Sequence, residues 1–373
     1  MDLALTEEQQ MIVDMTHGIL EEHCTIDVVR QMEDDPKGYP EGLWKQFAES
    51  GLTGMLIPEA NGGSGQSLTE AALVYEKFGE FLAPVPHFVS SVLSARLLLT
   101  VGNDAQQAEW LPKIASGDAV LTPAWLEPNR GYGEVGVQME AKAEGDDFLL
   151  SGVKRHVYFA SAAERLIVLA RGPQGIDLFL VDPSADGVTL TQQLSQSGDA
   201  QYRVDMQDVR VGAEARLGAP GMGWQAFNAV LHEGIILLAA QAIGGAQKVL
   251  DITVEYSKER VQFDKPLGAF QALAHYMADS ATHIDGGRVL VYEAAWNASQ
   301  DRSISRFAPM AKLFACETYR EVTRICAQIW GGVAFTIEYD CQLYFRRAKQ
   351  LQLSWWDTPY LEELVAEDVL RDD

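Results

Sequence analysis

Apolar and polar positions change period twice along the chain, and those changes divide it into three blocks. Up to residue 117 the apolar positions recur every three to four residues. "TEEQQMIVDMTHGILEEHC" puts Met11, Ile12, Met15 and Ile19 on one face, with Thr6 placed as N-cap and Glu8 or Gln9 in the first turn. "EGLWKQFAESGL", "LTEAALVYEKFGEFL" and "FVSSVLSARLLLTVG" repeat that period. Between the first two of these lies "LIPEANGGSGQS", a Pro- and Gly-rich loop that runs into a capping-box-like "SLTE".

From 118 to 225 the period falls to two. "FLLSGV", "RLIVLAR", "DLFLVD", "GVTLTQ" and "YRVDMQDVRV" are short runs separated by Gly, Asp, Pro and Ser, the pattern of an antiparallel sandwich or barrel. From 226 to 373 long amphipathic segments return and predict a four-helix bundle. The fold class expected is therefore α+β and multidomain: an N-terminal helical domain (1–117), a central antiparallel β domain (118–225) and a C-terminal helical bundle (226–373). No βαβ unit and no G-x-G-x-x-G after a strand occur, which excludes a Rossmann domain. P-loop, H-E-x-x-H and G-x-S-x-G patterns are missing too.

Composition narrows the function. Of 373 residues, 47% are hydrophobic and 22% charged, enough apolar material for a large core. A formal net charge of −24 argues against nucleic acid and anionic membrane as partners, because both require clustered Lys and Arg. One small phosphorylated ligand remains compatible, since it needs only a local cation or a helix N-terminus. Cys24, Cys316, Cys326 and Cys341 show no C-x-x-C spacing, so they read as buried free thiols in a reducing compartment. "MDLALTEEQQ" lacks a basic n-region, and "GIILLAAQAIGGA" is too short and too interrupted to span a bilayer, so a cytoplasmic protein is expected.

The stretch "RVQFDKPLGAFQ" (260–271) breaks one helical pattern and opens the next. It brings Arg260, Gln262, Phe263 and Gln271 around a turn, a surface suited to something anionic and flat. Arg260 also reads simply as a cation at a helix C-terminus, and Gln328 as a core amide.

Four segments in fixed order resemble the acyl-CoA dehydrogenase family across nearly the whole chain. "GLTGMLIPEANGGSG" (51–65) is similar to its G-L-x-G-x-x-I-P-E-x-x-G-G-x-G segment. "ERVQFDKPLGAFQALAHYMAD" (259–279) is similar to E-R-x-Q-F-G-x-P-I-x-x-F-Q. "QIWGGVAF" (328–335) is similar to Q-x-x-G-G-x-G-[FY], and "YFRRAK" (344–349) resembles the later R-D-A-K stretch. The resemblance implies an extended FAD shared between subunits. Arg260 would face the pyrophosphate and Gln262 and Phe263 the adenosine, with Gln271, Gln328, Gly331 and Gly332 completing that half.

The flavin-lining stretches depart from the family pattern. "TPAWLEPNRGYG" (122–133) has Leu126 for Thr and Tyr132 for Ser, and "GVKRHVYF" (152–159) has Tyr158 and Phe159 for Thr and Asn. Backbone N–H groups at Leu126 and Tyr158 would still serve the ring.

The reaction implied is α,β-dehydrogenation of an acyl-CoA, with a carboxylate as base and hydride passing to FAD. One slot the family uses for its base holds Trp355 here, and a second holds Gly234, next to Glu233. Glu233 and Asp357 are the candidate bases. One step along a helix turns a side chain by ~100°, so Glu233 also reads as a solvated carboxylate. Asp357 also reads as the N-cap of the last helix. His232 and His275 read as interface or surface histidines, and Trp355 and Trp356 as core or as walls of a wide acyl cavity.

By the resemblance, the substrate is an acyl-CoA, in a range that extends to bulky acyl groups (a steroid side chain or a cyclic acyl group). Electrons leave to an electron-transferring flavoprotein, and the assembly is a homo- or heterotetramer of similar chains. A base-deficient subunit completing a partner's FAD site is the alternative reading. A flavin-free scaffold or binding protein is the third.

Overall fold

The computed structural model describes residues 4–371. In chain order the helices of the first part are α1 (Glu7–His23), α2 (Ile26–Gln31), α3 (Glu41–Glu49) and α4 (Leu68–Glu80). A π-helix (Phe88–Ser94) follows and runs into α5 (Ala95–Val101), then α6 (Asp104–Ala115). The strands are β1 (Leu121–Ala124), β2 (Glu140–Glu144), β3 (Asp147–Tyr158), β4 (Arg165–Gly172), β5 (Gly175–Val181), β6 (Val188–Gln193), β7 (Gln201–Val211) and β8 (Arg216–Leu217). The 37-residue α7 (Gly223–Glu259) leads into a hairpin, β9 (Val261–Gln262) and β10 (Lys265–Pro266). Then come α8 (Gln271–Ser299), α9 (Phe307–Trp330), α10 (Cys341–Leu353) and α11 (Thr358–Arg371).

The chain forms two compact units that gather discontinuous stretches. One holds residues up to Val29, Ser67–Ala83 and Ile235 onward; the other holds Arg30–Gln66 and Pro84–Gly234. In the first unit α4 lies against α7 at glycine contacts. A Cβ on Gly244 would sit 1.8 Å from the Glu76 carbonyl oxygen, and one on Gly79 would sit 1.9 Å from that of Gln241. Only hydrogen fits at either place. Two N-termini in this unit carry reciprocal capping boxes, Thr6 with Gln9 and Ser67 with Glu70.

In the second unit the eight strands form one sheet in the order β6-β7-β3-β2-β4-β5-β8, with β1 beside β4. Most pairings are antiparallel, as the alternation implies. β1–β4 and β2–β4 run parallel, which makes the sheet mixed. The segment 88–94 departs from the expected α period. Its π turns place Ser94 Oγ within 2.7 Å of the Val89 carbonyl, five residues back.

All four cysteines are buried and unpaired. Burial pushes the Cys24 and Cys341 thiols up to about 12 and Cys326 to about 11, so none is a ready nucleophile. α7 is long and apolar enough to cross a bilayer, yet 72% of its most apolar window is buried within the protein.

Candidate active site

The end of α7 explains the Arg260 turn. Arg260 N donates to the Tyr256 carbonyl at 2.9 Å, and its own carbonyl accepts from Leu267 N at 2.9 Å. β9 and β10 then close a hairpin with Gln262 opposite Lys265. Phe263 and Asp264 form its tip at φ 53° and 65°. Asp tolerates that left-handed geometry better than most residues, which accounts for Asp264 where the family pattern has Gly. Phe263 is 87% exposed and stands edge-on to Phe270, over which the Lys265 ammonium sits at 4.1 Å. Arg260 and Gln271 are exposed, and Arg260 has no ion pair among the described residues. Gln262 turns its amide back to the Val261 carbonyl.

At the end of α9, Gly331 takes φ 70°, ψ −146°, a backbone region essentially reserved for glycine. Nothing lies within 4 Å of where a Cβ on Gly331 or Gly332 would stand. Both border a cavity of about 400 Å³ that Gln328, Arg324, Phe335 and Phe345 also line. Gln328, Gly331 and Gly332 are thus brought together. Arg260, Gln262, Phe263 and Gln271 cluster at the hairpin and do not line that cavity. Open backbone beside a void, with an unpaired guanidinium in the same unit, fits the diphosphate end of a dinucleotide.

In the other unit, 122–133 and 152–159 are fastened by a buried ion pair. Lys154 Nζ, fully buried, lies 2.7 Å from Glu127 Oε1. The same oxygen accepts from Gln138 N and Met139 N, each at 2.9 Å. Burial pushes the Lys154 ammonium down to about 8, against the pull of Glu127. The Leu126 carbonyl accepts from Arg155 N at 2.9 Å, while the Leu126 N–H has no partner among the described residues. Tyr158 ends β3 opposite Gln201, and its carbonyl accepts from Thr122 Oγ1 at 2.8 Å. These two stretches lie together as a backbone-lined surface with a free donor.

Each candidate base has a partner. Arg96, at the start of α5, forks onto Glu233, with Nε at 2.8 Å from one oxygen and Nη2 at 2.9 Å from the other. Gly234 allows this approach, since a Cβ there would meet Leu93 at 2.8 Å. Asp357 Oδ1 accepts from Tyr360 N at 3.2 Å, the geometry of a cap on α11. His232 is half-buried with Nδ1 at 2.8 Å from the Asn228 carbonyl, and burial lowers its pKa; His275 is exposed on α8. Trp355 and Trp356 are buried at φ 54° and 77°. Lys312, fully buried on α9, donates to the carbonyls of Leu351 (3.1 Å), Ser354 (2.9 Å) and Trp356 (2.8 Å), matching three N–H groups to three acceptors.

Sequence reasoning did not single out Arg96, Lys154, Lys312 or Trp330. Arg96 and Glu233 are 137 residues apart, and nothing local marks the pair. Trp330 had a signal, its place directly before the glycine pair.

Helical segments before and after a β sheet, with open glycine backbone beside a cavity and an arginine that has no ion pair among the described residues, suit the class of enzymes that hold a dinucleotide. Matches to family models are consistent along the chain: the acyl-CoA dehydrogenase N-terminal domain at 6–118, the middle domain at 123–209 and the C-terminal domain at 221–354. The chain belongs to the acyl-CoA dehydrogenase family. It is 31% identical over 382 residues to the probable acyl-CoA dehydrogenase YngJ of Bacillus subtilis, covering 100% of both. Among solved structures it resembles butyryl-CoA dehydrogenase from Megasphaera elsdenii (TM-score 0.91, 29% identity, 99% of this chain and 100% of that one). It also resembles a variant of the Tcur3481-Tcur3483 steroid acyl-CoA dehydrogenase (TM-score 0.87, 32% identity, 98% and 99%). The protein is an FAD-dependent oxidoreductase of the acyl-CoA dehydrogenase type.

Proposed function

We propose that this chain is one subunit of a heteromeric acyl-CoA dehydrogenase. It supplies the diphosphate end of an FAD site, while the α-proton of the acyl thioester is taken by a carboxylate of a partner chain. One observation carries the reading: both candidate bases are engaged elsewhere, Glu233 in a two-pronged pair with Arg96 and Asp357 in capping α11. A carboxylate held at both oxygens by a guanidinium is poorly placed to collect a carbon-bound proton.

FAD, when bound, accepts the β-hydrogen with its electron pair. Arg260 then opposes the diphosphate charge, Gly331 and Gly332 let backbone come close, and Gln328 and Gln271 offer amide donors. Gln262 and Phe263 would flank the adenosine. By itself, the other unit would offer a flavin ring the backbone of its ring-end stretches, with the Leu126 N–H and the strand end at Tyr158. An electron-transferring flavoprotein would be the electron acceptor for the assembly, in a cytoplasmic setting. For substrate, the likeness to a steroid enzyme favours a bulky steroid side-chain or cyclic acyl-CoA. The butyryl-CoA relative makes a short acyl chain the natural comparison arm.

A second reading keeps the base in this chain at Glu233. It is favoured by the pair's partial exposure, 24% for the Glu233 side chain, which leaves Arg96 room to swing away. Two measurements separate the readings. The chain purified alone is expected to be colourless and to gain the visible flavin spectrum on co-expression with a homologous chain. Full flavin on the chain alone, bleached by acyl-CoA and no longer bleached after Glu233→Gln, would install the second reading. Absence of flavin with every co-expressed homologue would sink both.

A further inference from the structure

At the last turn of α9, Trp330 stacks flat on Tyr256 of α7, with ring centroids 4.0 Å apart and planes within 7°. Its Nε1 donates to Thr253 Oγ1 at 2.9 Å. That hydroxyl is fixed in turn, fully buried and donating to the Val249 carbonyl at 2.7 Å. Tyr339 closes the outer side of the indole edge-on at 5.3 Å. One side chain is therefore held in plane, in azimuth and at its rim.

The residues on either side of this clamp are the ones assigned to the cofactor. Gly331 follows Trp330 directly. The Tyr256 carbonyl accepts the N–H of Arg260, one helical turn further on. The stack thus ties the end of α9, which carries the glycine pair, to the end of α7, which carries the arginine.

We propose that Trp330 is a positioning residue of the cofactor site: with Tyr256 and Thr253 it fixes the glycine pair relative to Arg260, and so sets the affinity for the diphosphate end of FAD. The proposal rests on the cofactor reading above. A stack that served helix packing alone would support stability and leave cofactor affinity untouched, and that difference is measurable.

The test removes flavin from the assembly that binds it and titrates FAD and, separately, ADP. Trp330→Leu, which loses ring and donor, is expected to weaken both ligands by about tenfold, the combined scale of an aromatic contact and a hydrogen bond. Trp330→Phe keeps the ring only, and Thr253→Val keeps the shape but removes the hydroxyl that accepts from Trp330 and donates to Val249; each is expected to weaken both ligands by about threefold. These two variants keep the test open if Trp330→Leu does not fold. Arg260→Met is the reference for the site itself. Wild-type affinity in the tryptophan and threonine variants, with Arg260→Met weakened, overturns the positioning role. Weakening towards FAD but not ADP overturns it too, because the defect would then lie at the ring end. Unchanged affinity in Arg260→Met overturns the cofactor assignment instead.

Discussion

Lys154→Met isolates the contact that fastens the two ring-end stretches. The lysine is fully buried, and its partner oxygen on Glu127 also holds two backbone N–H groups. Removing the ammonium leaves an anion in the interior with those two donors. Losing one member of a buried pair costs about 3–5 kcal/mol, and the remaining hydrogen bonds place this case near about 3. Glu127→Gln in the same chain removes the stranded charge while its carbonyl still accepts from Gln138 and Met139, so the double variant is expected to recover all but about 1 kcal/mol.

The pH dependence has a definite sign. The folded lysine gives up its proton near 8, against an ordinary value of 10.5, because burial disfavours the charged form. Between those values the unfolded chain binds more protons, so the wild type gains stability with rising pH and Lys154→Met does not. Their gap should widen as pH rises across that window. Guanidinium denaturation followed by tryptophan fluorescence at pH 7, 8, 9 and 10 reads both effects. A neutral-pH loss below about 1 kcal/mol, or a double variant no better than the single, would refute the claim that the pair is dry and mutually dependent.

Lys312→Met strands three inward carbonyls; a loss of about 3–5 kcal/mol is expected, with a change in the near-ultraviolet circular dichroism of Trp355 and Trp356. Gly331→Ala meets no neighbour but cannot adopt the required backbone, so weakened FAD binding and a stability cost of about 1–3 kcal/mol should appear together in flavin titration and thermal melts. Gly244→Ala drives a methyl into the Glu76 carbonyl, and soluble yield should collapse, with a loss of about 4 kcal/mol or more in whatever folds. Arg96→Met is expected to leave acyl-CoA bleaching unchanged if a partner supplies the base, and to alter its pH profile if Glu233 does.

The architecture was largely legible because period is a local property. A 3.6-residue repeat marks a helix and a two-residue repeat a half-covered strand wherever the chain later packs, and capping pairs such as Ser67 with Glu70 lie three residues apart. The π turns at 88–94 escaped because one inserted residue in a run of Val, Ser and Leu leaves the apolar pattern nearly intact. The parallel neighbours of β4 escaped because alternation says which face is covered, not which strand lies alongside. Of the groups proposed for the cofactor, Arg260 drew attention by residue type beside a turn, and the glycine pair only through the family resemblance. The groups that hold them did not: Thr253 and Trp330 are 77 residues apart, and Lys312 reaches carbonyls, which every residue has.

The bend after α10 limits how this chain could be redesigned. Two successive bulky residues sit in a left-handed backbone there, secured from within by Lys312. Writing glutamate at 355 would exchange one codon's product but keep that bend, and would set an acid in a place only 7% open to water. Converting the segment into a working proton acceptor thus requires rebuilding the loop and its lysine anchor together, a multi-step change with no useful halfway form.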